Sequence, residues 1–259
     1  MMGESVKAAA PLVSVIMPAY NASEFIADSI QSVLEQTVSE TELIVIDDCS
    51  TDETAAVVRR LAEADARIRL LPNERNLGTA QSRNRGLDHC RGTYAAFLDS
   101  DDIWHPKKLE KQLERIRETG ADLVYTSYAI VDASGRRRCE DFLVPGSIDL
   151  DGLLKENVIG CSTVLLSHKA AGHFRFRNDF YHEDYVLWLQ MLRSGCTAAG
   201  VREVLVDYRF HSDSRAANKL SSAAKRWQIY RSYLGLSRMK SIRYLSHYAL
   251  AGLKKYKRA

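Results

Sequence analysis

Six short segments of this 259-residue chain place ionisable or hydrogen-bonding side chains where the chain leaves an apolar run. The densest is Asp99-Ser100-Asp101-Asp102. Carboxylates at Asp99 and Asp101, one residue apart on a turn, can share a divalent cation whose other ligands are phosphate oxygens. Three clustered carboxylates repel one another unless a cation or solvent relieves them. The plainer reading is a turn or the cap of a following helix, and for Asp102 both readings stand. Asp47-Asp48 closes a second apolar run, and a carboxylate there suits the N–H edge of a nucleobase. Ser50, Thr51 and Asp52 already offer helix caps, which leaves Asp48 free for a ligand. Pro18-Ala19-Tyr20-Asn21 brings a ring to the same edge, where it could stack on a base or simply pack.

Three further segments complete the set. Asn76-Leu77-Gly78 is a glycine turn ahead of a polar helix, and helix N-termini favour anions. That helix carries Arg83 and Arg85, either of which could fork onto a diphosphate. His182-Glu183-Asp184 opens an amphipathic stretch, where a carboxylate could act as a general base or cap the helix. Arg209-Phe210-His211 ends another apolar run, and His211 could be a third metal ligand or a phosphate contact.

The elements needed to position these groups follow from periodicity. Leu12–Met17, Glu42–Asp47, Ile68–Leu71 and Thr93–Asp99 read as strands, the first two near-continuously apolar as in a sheet buried on both faces. Between them Ser23 is a suitable N-cap for a helix bearing Phe25, Ile26, Ile30, Val33 and Leu34, and a second helix spans about Glu53 to Ala64. A third runs from after Gly78 to about Cys90, and Pro106 fits the first turn of a fourth with Leu109, Leu113 and Ile116 on one face. Ala121–Asp132, Cys161–Ser167 and Val201–Phe210 read as further strands, and Tyr185–Leu192 as a helix. Strand–helix alternation with short connections predicts an α/β fold with a mostly parallel central sheet flanked by helices. Ligands in such sheets gather beyond the carboxyl ends of the strands. Pro18–Asn21, Asp47–Asp52, Asn76–Gly78 and Asp99–Asp102 all fall there.

Composition narrows the function classes. A hydrophobic fraction of 46% with 27% charged residues is globular rather than disordered. Five cysteines, an odd number with no CxxC, argue against a disulfide framework or a cysteine zinc site and for a reducing, cytoplasmic setting. The N-terminus lacks the basic start and clean core of a signal peptide, and no run of about 18 apolar residues occurs. From Ser214 onward there are 12 Lys and Arg and no Asp or Glu, leaving 24 basic and 33 acidic residues before it, a net of −9. An acidic body with a basic tail is not the pattern of a nucleic-acid enzyme. No GxGxxG follows the first strand, which sets aside a dinucleotide oxidoreductase, and no Gly-rich basic loop suggests a nucleotidyltransferase.

In order, VSVIMPAYN, ELIVIDDCSTDET, NLGTAQSRNRGL, AAFLDSDDIWHPKKL, HEDYVLWLQM and YRFHSDS resemble the family 2 glycosyltransferases of the GT-A fold, over about Pro11 to Ser214. The resemblance implies a donor site of Pro18, Tyr20, Asp48, Asn76, Gly78, Arg83, Asp99, Ser100 and Arg209. Tyr20 and Asp48 would hold the base, and Arg83 the diphosphate side. Asp99 and Asp101 would serve the ribose and a Mn²⁺ or Mg²⁺ ion, with His211 as a further ligand or, with Arg209, closing over the leaving diphosphate. Asp184 would be the catalytic base, with Glu183 the alternative, and Asp102 would assist the acceptor or cap a helix. The implied activity is inverting transfer of a hexosyl or N-acetylhexosaminyl group from a nucleoside-diphosphate sugar, a UDP-sugar foremost. The acceptor would be a hydroxyl of a glycan or lipid-diphosphate-linked glycan in bacterial surface polysaccharide assembly. Residues 1–105 would form the nucleotide-sugar half, 106–213 the acceptor half and 214–259 a basic helical tail. A non-catalytic nucleotide-sugar-binding protein is the alternative, expected to lack the metal and base carboxylates.

In the tail, Trp227, Tyr230, Leu234, Met239, Ile242, Leu245, Ala249 and Leu253 recur every three or four residues among Lys and Arg. Helices packed over the sheet would give that pattern. So would a surface helix on anionic lipid, which would place the enzyme peripherally on the inner face of the cell membrane.

Overall fold

The computed structural model describes residues 10–210 and 219–256. Strands β1 (Val13–Ala19), β2 (Thr41–Asp47), β3 (Ile68–Pro72) and β4 (Tyr94–Phe97) alternate with helices α1 (Ile26–Leu34), α2 (Thr54–Ala64) and α3 (Thr79–Asp88). There follow β5 (Ile103–Trp104), α4 (Lys108–Thr119), β6 (Leu123–Val131), α5 (Leu150–Lys155), β7 (Leu165–Ser167), α6 (His168–His173), α7 (Glu183–Arg193) and β8 (Ala198–Arg209). Helices α8 (Lys219–Gln228) and α9 (Arg238–Tyr256), joined by a π turn at Ile229–Tyr233, complete the described chain. The eight strands form one sheet in the order β3-β2-β1-β4-β7-β6-β8-β5.

The β3-β2-β1-β4 half is wholly parallel. Beyond it, β7 runs antiparallel to β4 and β6, while β6 and β8 are parallel. Alternation along the buried strands divides the core between the two faces. Val13, Val15 and Met17 of β1 join Leu43 and Val45 of β2 under Ile26, Ile30 and Val33 of α1 and Leu109 of α4. Ile16, Ile44 and Ile46 face the other way, toward Ala80 and Leu87 of α3 and the apolar residues of α7. Because β1, β2 and β4 are parallel, their carboxyl ends share one edge, with Ala19 paired to Asp47 and Ile16 to Phe97. Tyr20, Asp48 and Asp99–Asp101 therefore emerge together.

Several local expectations differ from the structure. Ser23 does not cap α1: the Ala22 carbonyl starts that turn by accepting from Ile26 N, and Ser23 N donates to Asp52. The segment Cys161–Ser167 is not one strand but a 3₁₀ turn (Cys161–Thr163) followed by β7: the Thr163 hydroxyl closes the turn on the Gly160 carbonyl and that of Ser162 bonds across to Asp102. Helix α4 begins at Lys108, two residues after Pro106. Helices α5 and α6, six residues each, and the two-residue β5 are too short to leave a period in the sequence.

The basic tail docks on the domain. Ile229 and Tyr230 are buried, and the Tyr230 hydroxyl donates to the Leu154 carbonyl at 2.6 Å while that of Tyr244 donates to Asp151 at 2.7 Å. No helix among the described residues is long and apolar enough to cross a membrane.

Helix α3, whose arginine and N-terminus face the carboxyl edge, is held against the sheet by Gly86. A Cβ there would collide with Ile16 and Ile46. Gly86→Val should lower stability by about 1–3 kcal/mol, the usual cost of overpacking, measured by urea denaturation. An unchanged midpoint would show that α3 can step away from β1.

Candidate active site

A cleft of about 1190 Å³ opens at the carboxyl edge. Pro18, Tyr20, Asp48, Asn76, Gly78, Arg83, Asp99, Ser100 and Asp101 line it from the parallel half, and Glu183 and Asp184 from the start of α7. The backbone at this edge is tightly turned. Asn21 and Cys49 are non-glycine residues at positive φ (49° and 64°), and Gly78 has φ 83°. Such conformations cost energy in ordinary residues and concentrate at binding edges. The β1 and β2 turns are laced together, Asn21 Oδ1 accepting from Thr51 N at 2.9 Å and Ser50 Oγ from Asn21 N at 3.0 Å.

Arg83 joins the two acidic loci. The side chain is 3% exposed, and its Nη2 donates to Asp99 Oδ1 at 2.5 Å while Nη1 donates to Glu183 Oε1 at 2.9 Å. Its guanidinium also lies 5.2 Å from the centre of the Phe176 ring. One buried cation thus fixes the end of β4 against the start of α7, a hundred residues later in the chain. Arg85, the other candidate, turns away and bonds the Pro72 carbonyl at 2.7 Å and the Asn73 side chain.

Asp48 lines the cleft but is not free. Its Oδ1 accepts from Asn73 Nδ2 at 2.7 Å and Leu77 N at 2.8 Å, and its Oδ2 from Gly78 N at 2.8 Å. The carboxylate shapes the 73–78 turn rather than standing free, and two of its three donors are backbone N–H groups, which residue identity does not reveal. A carboxylate offers about four acceptor positions, so one remains on Oδ2.

The four residues of Asp99–Asp102 divide by environment. Asp99, Ser100 and Asp101 line the cleft, and the Ser100 carbonyl accepts from Ser29 Oγ at 2.9 Å. Asp102 is wholly buried, is not among the residues lining the cleft and caps no described helix. Its Oδ2 accepts from Ser162 Oγ at 2.5 Å and its Oδ1 from Arg209 N at 3.0 Å. Burial, and after it the charges of Asp101 and Asp99, pushes its carboxyl well above the usual carboxylate range. Among the described residues no three His, Cys, Asp or Glu side chains converge as a metal cage. Two oxygen donors beside a polyphosphate are nonetheless a suitable set for a hard cation that keeps phosphate oxygens as ligands.

Glu183 and Asp184 also differ. Glu183 is committed to Arg83, whereas Asp184 accepts from Tyr185 N at 2.7 Å and lines the cleft. Desolvation, and next the neighbouring Glu183 charge, pushes the Asp184 carboxyl up to about 6, with Arg83 pulling the other way.

Arg209 departs from expectation. Its side chain stacks 4.4 Å from the Phe25 ring centre, with Nη2 3.8 Å from Asp28, and it is not among the residues lining the cleft. Burying the guanidinium on an aromatic face at the end of β8 takes it below the rim. His211 lies outside the described residues.

The turn at Cys161–Thr163, which the sequence reading did not single out, completes the wall. Ser162 Oγ accepts from Asp99 N at 3.1 Å and donates to Asp102, so it sets the acidic turn. Beneath it Trp104 Nε1 donates to the Ser162 carbonyl, and Gln112 Nε2 to that of Thr163, both at 2.8 Å. A Cys-Ser-Thr run inside an apolar stretch carries no spacing that would have flagged it. From the far side the tail contributes Ala223, Arg226, Leu245, Tyr248 and Ala249.

Parallel strands delivering carboxylates, an aromatic ring and a helix N-terminus to one cleft, closed by a second acidic locus, define a GT-A-type transferase site. The model of glycosyl transferase family 2 matches residues 14–209, and the chain belongs to that family. It is 39% identical over 245 residues to TuaG of Bacillus subtilis (strain 168), whose name places it in teichuronic acid biosynthesis, covering 95% of this chain and 97% of that protein. It is 38% identical over 247 residues, 95% of each chain, to WfgD of Escherichia coli, named as a UDP-Glc:alpha-D-GlcNAc-diphosphoundecaprenol beta-1,3-glucosyltransferase. The S. aureus TarS structure with UDP-GlcNAc superposes with a TM-score of 0.72 at 19% identity, covering 92% of this chain and 71% of that one, a likeness of fold.

Removing the Arg83 charge should expose the burden it carries. Arg83→Met leaves the Asp99 and Glu183 carboxylates opposed without a cation, at a cost of about 3–5 kcal/mol in urea denaturation. Adding Glu183→Gln should recover part of that loss. Equal stability of Arg83→Met and the wild type would show that the bridge is not what holds α7 to β4.

Proposed function

We propose that this glycosyltransferase moves a hexosyl or N-acetylhexosaminyl group, with inversion, from a UDP-sugar to a hydroxyl of a lipid-diphosphate-linked glycan during bacterial surface polysaccharide assembly. One observation carries the reading: Asp184 lines the same cleft as Asp99 and Asp101, with Arg83 and Glu183 tying the two loci together. The names of TuaG and WfgD and the UDP-GlcNAc held by TarS support the donor and acceptor classes.

In this reading Tyr20, 51% exposed at the rim, stacks on the base. The remaining acceptor position on Asp48 Oδ2 takes the base N–H, while Asn76 and Gly78 border the nucleoside side. Asp99 and Asp101 hold Mg²⁺ or Mn²⁺, which when bound supplies positive charge to the diphosphate oxygens. Arg83 adds a permanent cation beneath that point and keeps Asp99 oriented. Asp184 takes the proton from the acceptor hydroxyl as the oxygen bonds to the anomeric carbon. The bond from that carbon to the phosphate oxygen breaks, and its electron pair leaves with UDP. Glu183, held in an ion pair with Arg83, serves as a positioning residue.

The tail's outward face supports a peripheral membrane position. Met239, Ile242 and Leu250 of α9 are 79%, 55% and 58% exposed and lie among the exposed Arg238, Lys240 and Arg243. Apolar side chains ringed by bases fit the boundary of an anionic bilayer, with roughly 1 kcal/mol per basic residue near the surface.

Asp184→Asn should lower kcat by at least about 100-fold, as for loss of a general base, with UDP-sugar binding by calorimetry unchanged; near-normal turnover would refute the role. The raised carboxyl also sets a pH dependence. Asp184 acts only when ionised, so kcat should fall as pH drops through about 6 and hold above it. A rate flat down to pH 5 would assign the proton elsewhere. Finally, the double variant Met239→Glu, Ile242→Glu should lose sedimentation with phosphatidylglycerol vesicles while keeping its melting temperature; undiminished sedimentation would remove α9 from the membrane contact.

A further inference from the structure

Arg226 is the second buried guanidinium in the cleft wall, and it is built unlike Arg83. It is 4% exposed, yet among the described residues no carboxylate pairs with it and its Nη1 has no hydrogen-bond partner. Two tyrosine rings stack on it, with the Tyr185 ring centre at 4.2 Å and that of Tyr248 at 4.1 Å, and the Tyr230 hydroxyl is a neutral hydrogen-bond neighbour. Aromatic stacking leaves a planar guanidinium its edge, where all its N–H donors lie, and Nη1 on that edge is the donor without a partner. A buried cation without a counter-ion is costly unless an anion completes it, and a fork-shaped edge matches a phosphate bidentately.

Its position says which end of the cleft that anion occupies. Tyr185 follows the proposed base Asp184 in the first turn of α7, whereas the carboxylates proposed for the donor diphosphate stand at the end of β4. Around Arg226 the cleft is lined by Ala223, Leu245 and Ala249, small or apolar side chains on the two tail helices. An anionic group carrying an apolar chain suits such surroundings. The outward face of α9 carries the exposed Met239, Ile242 and Leu250, so the same helix borders both the cleft and the proposed lipid contact.

We propose that Arg226 is an anion subsite for the acceptor, its guanidinium edge taking a phosphate of the diphosphate that links sugar to lipid. The assignment rests on the lipid-diphosphate acceptor reading above and adds the residue that recognises it.

The test is binding of two probes to the full-length chain by calorimetry with UDP present. One is N-acetylglucosamine joined to a phenoxyundecyl chain through a diphosphate; the other is the neutral phenoxyundecyl glycoside. The wild type should prefer the diphosphate probe by about tenfold or more, the worth of a charge-assisted hydrogen bond. Arg226→Gln should abolish that preference while leaving affinity for the neutral glycoside and for UDP unchanged, and Arg226→Lys should retain part of it. A wild type that binds both probes equally overturns the proposal without recourse to any variant. Arg226→Gln that keeps the preference, or that weakens both probes alike as a structural role would, also overturns it. So does a phenoxyundecyl glucuronide that binds as tightly as the diphosphate probe, since the anion would then be a sugar carboxylate. Because the readout is binding, a preference found without any sugar transfer supports the subsite and counts against the catalytic reading.

Discussion

The buried Arg83 ion pairs are the constraint on which the rest of the site depends. A guanidinium that is 3% exposed is costly to leave unpaired, and the two carboxylates that pair with it, Asp99 and Glu183, belong to segments far apart in the chain. Asp99 belongs to the turn that would meet the donor's phosphates, and Glu183 precedes the residue that would face the acceptor. Geometry across the reaction centre is thereby set by one side chain on α3, and α3 is held to the sheet through the close approach of Gly86 to Ile16. A general base must sit within hydrogen-bond reach of its proton, so under the proposed mechanism a rigid tie between these loci would serve catalysis as well as stability.

The carboxylates of the cleft show how similar residues acquire different work. Asp48 spends three of its acceptor positions on shaping the 73–78 turn. Asp102 is sunk beneath the rim, where it joins Ser162 to the end of β8. Glu183 neutralises Arg83. Asp101 and Asp184 line the cleft, and desolvation raises the Asp184 carboxyl to about 6. Residues at positive φ beside Tyr20 and Asp48 store a little backbone strain at the same edge.

Much of this was legible in the sequence. The parallel β3-β2-β1-β4 half was readable because strands buried on both faces are almost uninterrupted apolar runs, and the carboxyl-edge rule then gathered Tyr20, Asp48, Gly78 and Asp99–Asp101. The choice between Arg83 and Arg85 was not readable, since a helix places both near the same end and only contacts across the fold separate them. The bonds that tie Asp48 to the 73–78 turn were not readable, because two of its three donors are backbone N–H groups, which leave no mark on residue identity. Arg209 was misplaced for a related reason: its stacking on Phe25 joins elements far apart in the chain. The tail's amphipathic period announced helices, but a period cannot tell a face packed on Leu154 and Asp151 from one turned to lipid. The segment has a packed face and an exposed apolar one, on different sides.

The mechanism proposed for this site is a single in-line displacement, with the base and the leaving group on opposite faces of the sugar. The stereochemistry of one turnover tests this most directly. Given an α-linked UDP-hexose and a lipid-diphosphate-linked acceptor, proton NMR of the new anomeric centre should show a β linkage. An α-linked product would mean retention, which a lone Asp184 acting across the cleft from the diphosphate cannot deliver.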